Sequence, residues 1–222
     1  MNVACIGIIL DGNRRWARAH GVSKLEGHRA GVETLQKMVR FARDRGIKHL
    51  VVYAFSTENW SRDTDEVSYL MGLFSETIRK EMNELGKENV RVRFAGQRAR
   101  FPLDLQQAMR DIEEKTSQND AITLWTCLSY GGRAEIAAAA IAAAAKGTIT
   151  EESLSQNMWT AEMPDPDIII RTGGEKRLSN FLPWQSVYSE LFFTETLCPD
   201  FNKEEFDAIL EEFAQRERRR GK

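Results

Sequence analysis

An α/β fold, with a mostly parallel sheet flanked by helices, is predicted by three features of the sequence. Short apolar, β-branched runs alternate with longer amphipathic stretches, the pattern that right-handed crossovers turn into parallel strands. The 222 residues are 42% hydrophobic and 29% charged, an ordinary balance for a soluble chain with a sizeable core. No internal repeat and no Pro-, Gly- or Ser-rich linker divides the chain, so a single domain over 1–222 is expected.

The first strand is the run Val3 to Leu10, broken sharply at Gly12. Further strands are read at His49 to Phe55, Val90 to Ala95, Ile122 to Leu128 and Ile168 to Arg171, with a less regular sixth at Val187 to Phe193. Helical patterns fall at 29–45, 64–88, 103–117, 133–146 and 203–219. Ala134 to Ala145 reads as a tightly packed helix, since alanine has the best helix propensity and allows close approach.

The net charge of −2 gives no global field that would draw in nucleic acid. No apolar stretch approaches the roughly 20 residues needed to cross a bilayer, and the N-terminus has no signal-peptide layout. Cys5, Cys127 and Cys198 are scattered without a CxxC pair, as expected of reduced thiols in the cytoplasm.

Chemistry concentrates where strands end. Asp11-Gly12-Asn13-Arg14-Arg15, followed by Trp16, places one carboxylate, one amide and two guanidiniums at the carboxyl end of the first strand. Ligands bind at that edge of an open α/β sheet. A carboxylate beside arginines suits a divalent cation bridged to a polyphosphate; a surface turn with a salt bridge has the same composition. Ser56-Thr57-Glu58-Asn59-Trp60-Ser61-Arg62 follows the second strand, either as a ligand loop or as the cap region of a helix begun by Asp63 or Thr64. Tyr130-Gly131-Gly132-Arg133 follows the fourth, its glycines serving close approach to a ligand or to packed backbone.

Arg171 to Phe181 surrounds Gly173 and Gly174 with Arg171, Lys176, Arg177 and Ser179, the composition of an anion nest or of a solvated charged loop. His28 sits among cations near a helix start, where anions are favoured. Two basic clusters, near 11–29 and 171–179, imply two phosphate-bearing ligands side by side. The stripe Val67 to Ile78 (Tyr69, Leu70, Met71, Leu73, Phe74) could house a long apolar chain, or only core. Neither GxxxxGK[ST] nor GxGxxG is present, and the second Asp of an aspartyl-phosphate phosphatase is replaced by Asn13.

At these residues the chain resembles the cis-prenyltransferase family of the undecaprenyl diphosphate synthase type. The matching segments are IILDGNRRWA (8–17), GHRAG (27–31), YAFSTENW (53–60) with Arg62, SYGGR (129–133), the 164–185 segment containing RTGGEKRLSNF, and YSELFFTETLCPDF (188–201). The resemblance implies a six-stranded sheet with a hydrophobic tunnel between sheet and helices, and usually a homodimer. It implies Mg²⁺-dependent condensation of an allylic diphosphate with isopentenyl diphosphate to give cis double bonds. Asp11 would coordinate Mg²⁺ and assist departure of the allylic diphosphate, with Glu190 helping to place the metal. Gly12, Asn13, Arg14, Arg15 and His28 would cradle that diphosphate, and Arg171, Arg177 and Ser179 would bind isopentenyl diphosphate. Ser56, Asn59 and Arg62 would lie near the reacting groups, Asn59 in a catalytic role, with Trp16 and Trp60 as apolar walls. Transient contact with a membrane surface would accompany product release. Arg219-Arg220-Gly221 matches the family's RxG tail, which would reach a phosphate or a partner subunit.

Some residues depart from the family pattern. Cys5 replaces a frequent His, and Lys24 stands where an arginine often contacts diphosphate, keeping the charge without the bidentate fork. Asp63 replaces Pro, and Ser129 replaces Asn. Trp125 lies in the fourth strand where the family more often has Asn, and its bulk would be expected to shorten or reshape the tunnel and so shorten the product. The alternative functions are a family member making short or irregular products, and a non-catalytic subunit; the retained Asp11 and arginines argue against the second.

Overall fold

The computed structural model describes residues 3–217, with the side chains of 81–87 outside that description. Six strands form one sheet in the order β3-β4-β2-β1-β5-β6, and every neighbouring pair is parallel. The strands are β1 (Cys5–Ile9), β2 (His49–Ser56), β3 (Val90–Ala95), β4 (Ile122–Tyr130), β5 (Ile168–Arg171) and β6 (Glu190–Phe193). The helices are α1 (Asn13–Ala19), α2 (Lys24–Asp44), α3 (Thr64–Lys87), α4 (Leu103–Lys115), α5 (Gly132–Lys146), α6 (Glu151–Asn157) and α7 (Lys203–Gln215).

All six predicted strands form, and the sheet is wholly parallel where a mostly parallel one was expected. The sequence reading missed α1 and α6, each only seven residues long and too short to show a helical period. It also began α2 five residues late. Ser23 starts that helix through a capping box: its Oγ accepts the Glu26 N–H at 3.2 Å while the Glu26 carboxylate accepts the Ser23 N–H at 2.9 Å. Of the 203–219 pattern, the helix ends at Gln215. The Arg219-Arg220-Gly221 tail lies outside the described residues.

Alternation along the strands splits the core between two faces. Ile6, Ile8, Leu50, Val52 and Leu124 pack beneath Met38 and Val39 of α2 and Phe206 and Leu210 of α7. Further along that face, Phe55, Val92 and Leu128 meet Leu70 and Leu73 of α3 and Met109 of α4. Cys5, Ile9, Val51, Trp125, Cys127 and Ile169 point the other way, toward Met163, Phe181 and Leu182. All three cysteines are buried.

That alternation corrects the reading of Trp125. Its ring lies on the second face and donates from Nε1 to His49 Nδ1 at 3.2 Å, whereas Leu124, Thr126 and Leu128 line the apolar cavity on the first. Among the described residues no helix is long and apolar enough to cross a membrane.

Candidate active site

Because the strands are parallel, the loops after β1, β2, β4 and β5 emerge at one edge, as required to bring the predicted segments together. After β1 the chain turns at Gly12, whose φ of +106° is strained for any residue with a Cβ. A Cβ there would also lie 2.8 Å from Leu197 Cδ2. Asp11 is fixed by its N–H, which donates to Thr172 Oγ1 at 2.9 Å, and by its carbonyl, which accepts from Cys198 N at 2.9 Å. Its carboxylate is bracketed: Arg171 Nη2 donates to Oδ2 at 2.8 Å, and Arg15 Nη2 stands 3.3 Å from Oδ1. Arg171 is nearly buried and also donates to Ser179 Oγ at 2.7 Å.

The loop after β5 is not the backbone anion nest its composition suggests. The N–H groups of Gly173 and Gly174 donate to Thr196 and Thr194 carbonyls, so they serve packing against β6's exit. Ser179 and Asn180 adopt left-handed backbone, with φ of +50° and +68°, a conformation held by their surroundings. Asn180 supplies much of that hold. Its carbonyl accepts from Gly132 N, its Oδ1 accepts from Arg133 N, and its Nδ2 donates to Glu58 at 2.9 Å. For SYGGR the packing reading applies, since a Cβ on Gly132 would lie 2.0 Å from Pro183 Cδ.

These residues surround a polar cavity of about 620 Å³. Its wall includes Asp11, Gly12, Asn13, Arg14, Arg15, His28, Ser56, Asn59, Arg62, Arg171 and Ser179, so the structure brings eleven predicted site residues to one place. Asn59 Oδ1 accepts from Ser56 N at 3.0 Å, which leaves its amide N–H₂ as the donor it can offer. A second cavity, apolar, runs between the sheet and helices α2 and α3, past Val32, Leu35, Leu73, Phe74 and Leu128. Of the α3 stripe, Leu70, Leu73, Phe74 and Ile78 border it; Tyr69 and Met71 do not. The two cavities share Leu10, Asn13, His28, Ala54 and Leu70. At that junction Asn13 Oδ1 is buried with no hydrogen-bond partner among the described residues.

Other predicted residues lie elsewhere. Trp16 donates to Asp200 Oδ1 at 2.7 Å and stacks on His20, and Trp60 donates to Ser129 Oγ at 2.9 Å; neither lines either of these two cavities. Lys24 is held by Glu66, and Arg177 by Glu175, away from the cavity wall. Glu190 is not beside Asp11 within one chain. It opens β6 opposite Ile168, whereas the Asp11 end of the sheet is level with Arg171, three residues or about 10 Å further along the strands. Its carboxylate instead accepts from Arg216 Nη1 at 2.8 Å.

The residue most plainly missed is Glu66, a buried acid in the first turn of α3. His28 Nε2 lies 3.1 Å from its Oε1, Arg62 Nη1 lies 3.3 Å from the same oxygen, and Lys24 Nζ lies 3.2 Å from Oε2. Burial pushes the Glu66 carboxyl up, but hydrogen bonds from His28 and Lys24 and the charges of Arg14 and Arg62 outweigh it and hold the group below the ordinary carboxylate range. Burial likewise drives His28 down, against the pull of Glu66, so the imidazole favours its neutral form. The only signal for Glu66 in the sequence is its i,i+4 spacing from Arg62, which equally describes a solvated surface pair.

A cation-rich cavity sharing a wall with an apolar one has the chemistry to suit an anionic head group that carries a hydrocarbon tail. The comparisons with known proteins agree. Residues 9–221 match the prenyltransferase family model described as "Putative undecaprenyl diphosphate synthase". The chain is 44% identical to an isoprenyl transferase of Thermotoga maritima, covering 97% of this chain and 95% of that one. It is 46% identical to an isoprenyl transferase of Fusobacterium nucleatum, over 97% and 94%. A lavandulyl diphosphate synthase from Lavandula x intermedia, solved with dimethylallyl diphosphate, superposes with a TM-score of 0.95 at 33% identity, covering 99% of this chain and 98% of that one. A probable undecaprenyl diphosphate synthase from Campylobacter jejuni gives a TM-score of 0.87 at 36% identity over the whole of both chains. The chain belongs to the undecaprenyl diphosphate synthase family of prenyltransferases. It is a cis-prenyl chain-elongating enzyme.

Proposed function

We propose that the protein condenses an allylic diphosphate with isopentenyl diphosphate at this site, releasing pyrophosphate, with Mg²⁺ as cofactor. The observation that carries this reading is the shared wall of the two cavities. The reacting carbon of an allylic diphosphate lies where a polar head meets a hydrocarbon tail, and the cavities meet in that way at Asn13, His28 and Leu70. The apolar cavity is then the start of the tunnel for the growing chain.

Arg14, Arg15, Arg62 and His28 bind the allylic diphosphate together with Gly12 and Asn13, while Arg171 and Ser179 take isopentenyl diphosphate, which Arg177 reaches only by leaving Glu175. The hard oxygen donors of this cavity fit Mg²⁺, which is commonly held by one carboxylate plus substrate phosphates. Among the described residues no group of three His, Cys, Asp or Glu could hold a metal alone, so Asp11 would share the ion with the diphosphate. When bound, the ion neutralises charge on the departing diphosphate. The guanidiniums stabilise the same developing anion, and the apolar wall keeps water from the carbocation. Asn59 orients the reacting groups through its amide.

In this reading the enzyme acts as a single domain over 1–222, in the cytoplasm, as a homodimer, with transient contact at a membrane surface on product release. Glu190 reaches a metal only if a second copy presents it. Neither irregular coupling nor a non-catalytic role is favoured. The test is incubation of labelled isopentenyl diphosphate with dimethylallyl, geranyl and farnesyl diphosphate in turn, with and without Mg²⁺. Mg²⁺-dependent, cis-configured products longer than the primer are expected; no incorporation with any primer would overturn the proposal.

A further inference from the structure

Most ion pairs at this site join one acid to one or two bases. Glu66 is different. Its two oxygens gather His28, Arg62 and Lys24 within 3.3 Å, with Arg14 Nε at 4.0 Å, and the side chain is 1% exposed. Three of those four partners, Arg14, His28 and Arg62, also line the polar cavity; Glu66 itself does not. One buried anion therefore stands behind the cationic wall and engages the donors that face the ligand. Its helix holds it there, for α3 begins at Thr64, and the Glu66 N–H is itself capped by Asp63 Oδ1 at 3.4 Å.

We propose that Glu66 is a positioning residue that competes with bound diphosphate for Arg14, His28 and Arg62, and so speeds the release of pyrophosphate after each condensation. The inference rests on the prenyl-transfer reading above. Each donor directed at Glu66 must be drawn away, or shared, when a diphosphate binds. The buried negative charge also opposes the anion across a poorly screened path. A wall of cations without a counter-anion would hold the transition state more strongly and the leaving pyrophosphate more strongly still. An enzyme that extends a chain must clear that product in every cycle. The same carboxylate keeps the cations from repelling one another when the site is empty, which preserves their geometry between turnovers.

A buried acid of purely structural purpose makes the opposite prediction, since losing it would disorder the wall and weaken anion binding. The test measures inorganic pyrophosphate binding, with Mg²⁺ present, by titration calorimetry on the full chain, alongside steady-state kinetics. Glu66→Gln keeps size and shape without the charge. It should bind pyrophosphate about tenfold more tightly, with lower kcat and an unchanged or lower KM for the allylic substrate. Glu66→Asp, which retains the charge, should stay near the parent affinity. Equal or weaker pyrophosphate binding by folded Glu66→Gln overturns the proposal.

A measurement on the unaltered protein guards against a variant that does not fold. Saturating pyrophosphate should shift the Nε2 resonance of His28 as its contact with Glu66 loosens; an unmoved resonance overturns the proposal. Failure of the unaltered protein to bind pyrophosphate would instead remove the prenyl-transfer reading, and this one with it.

Discussion

Replacing Asp11 with Asn tests the centre of the proposed chemistry while preserving shape. In the native site the carboxylate accepts from Arg171 at 2.8 Å and faces Arg15 at 3.3 Å. Arg171 is 4% exposed and Asp11's side chain is 30% exposed, so the pair is half buried. Removing one partner of a fully buried pair costs about 3–5 kcal/mol. Discounting for Asp11's exposure, and for the Ser179 and Arg177 oxygens that still accept from Arg171, leaves about 2 kcal/mol. For a chain of this size that lowers Tm by roughly 4–8 °C. The folded population at 25 °C stays close to complete, so stability cannot explain a large loss of rate. The loss of rate should be far greater, at least about 10³-fold in kcat/KM, or roughly 4 kcal/mol, because the carboxylate proposed to hold Mg²⁺ is gone. Incorporation of labelled isopentenyl diphosphate, with a melting curve on the same sample, separates the two effects. An Asp11→Asn enzyme that retains a tenth of the parent kcat/KM would refute the assignment.

Three further outcomes follow from the same geometry. Leu70→Trp, placed where the cavities meet, should shorten the products separated by chromatography; an unchanged product range would show that the chain does not pass that junction. Trp125→Asn should leave product length unchanged, since its ring faces away from the apolar cavity, while lowering stability by about 3 kcal/mol in a denaturant titration. On acidification, His28 and His49 should each reduce stability. Burial holds both imidazoles below their ordinary 6.5, so the unfolded chain binds more protons. Their contribution is complete above about pH 6.5 and is lost as pH falls toward the folded values. Tm measured from pH 8 to pH 5 should therefore drop, and drop less in His49→Gln.

Much of this protein is local enough to be read without coordinates. Ile8, Ile9 and Ile168 to Ile170 are buried on both sheet faces, so they form continuous apolar runs, and the run itself declares a parallel strand. The turn at Gly12 and the cationic composition after β1 and β5 are likewise written in consecutive residues. Those features determined the α/β class, the edge at which ligands bind, and the phosphate character of the site. The tertiary structure decided what depends on direction and on partners distant in the chain. Trp125 and Leu124 are neighbours in sequence, yet the pleat sends them to opposite faces, and only one face holds the apolar cavity. Glu190 is expected from the resemblance to help place the metal, yet strand register sets it about three residues from the Asp11 end of the sheet within one chain. Gly173 and Gly174 had the composition of an anion nest, and their N–H groups went to β6-side carbonyls instead. Glu66 gave almost no signal, because its meaning comes from Arg14, Lys24 and His28, brought to it by helices up to 52 residues earlier in the chain. Residue types carry the kind of chemistry a chain can do; which charge faces ligand and which faces another charge is settled only when the helices pack.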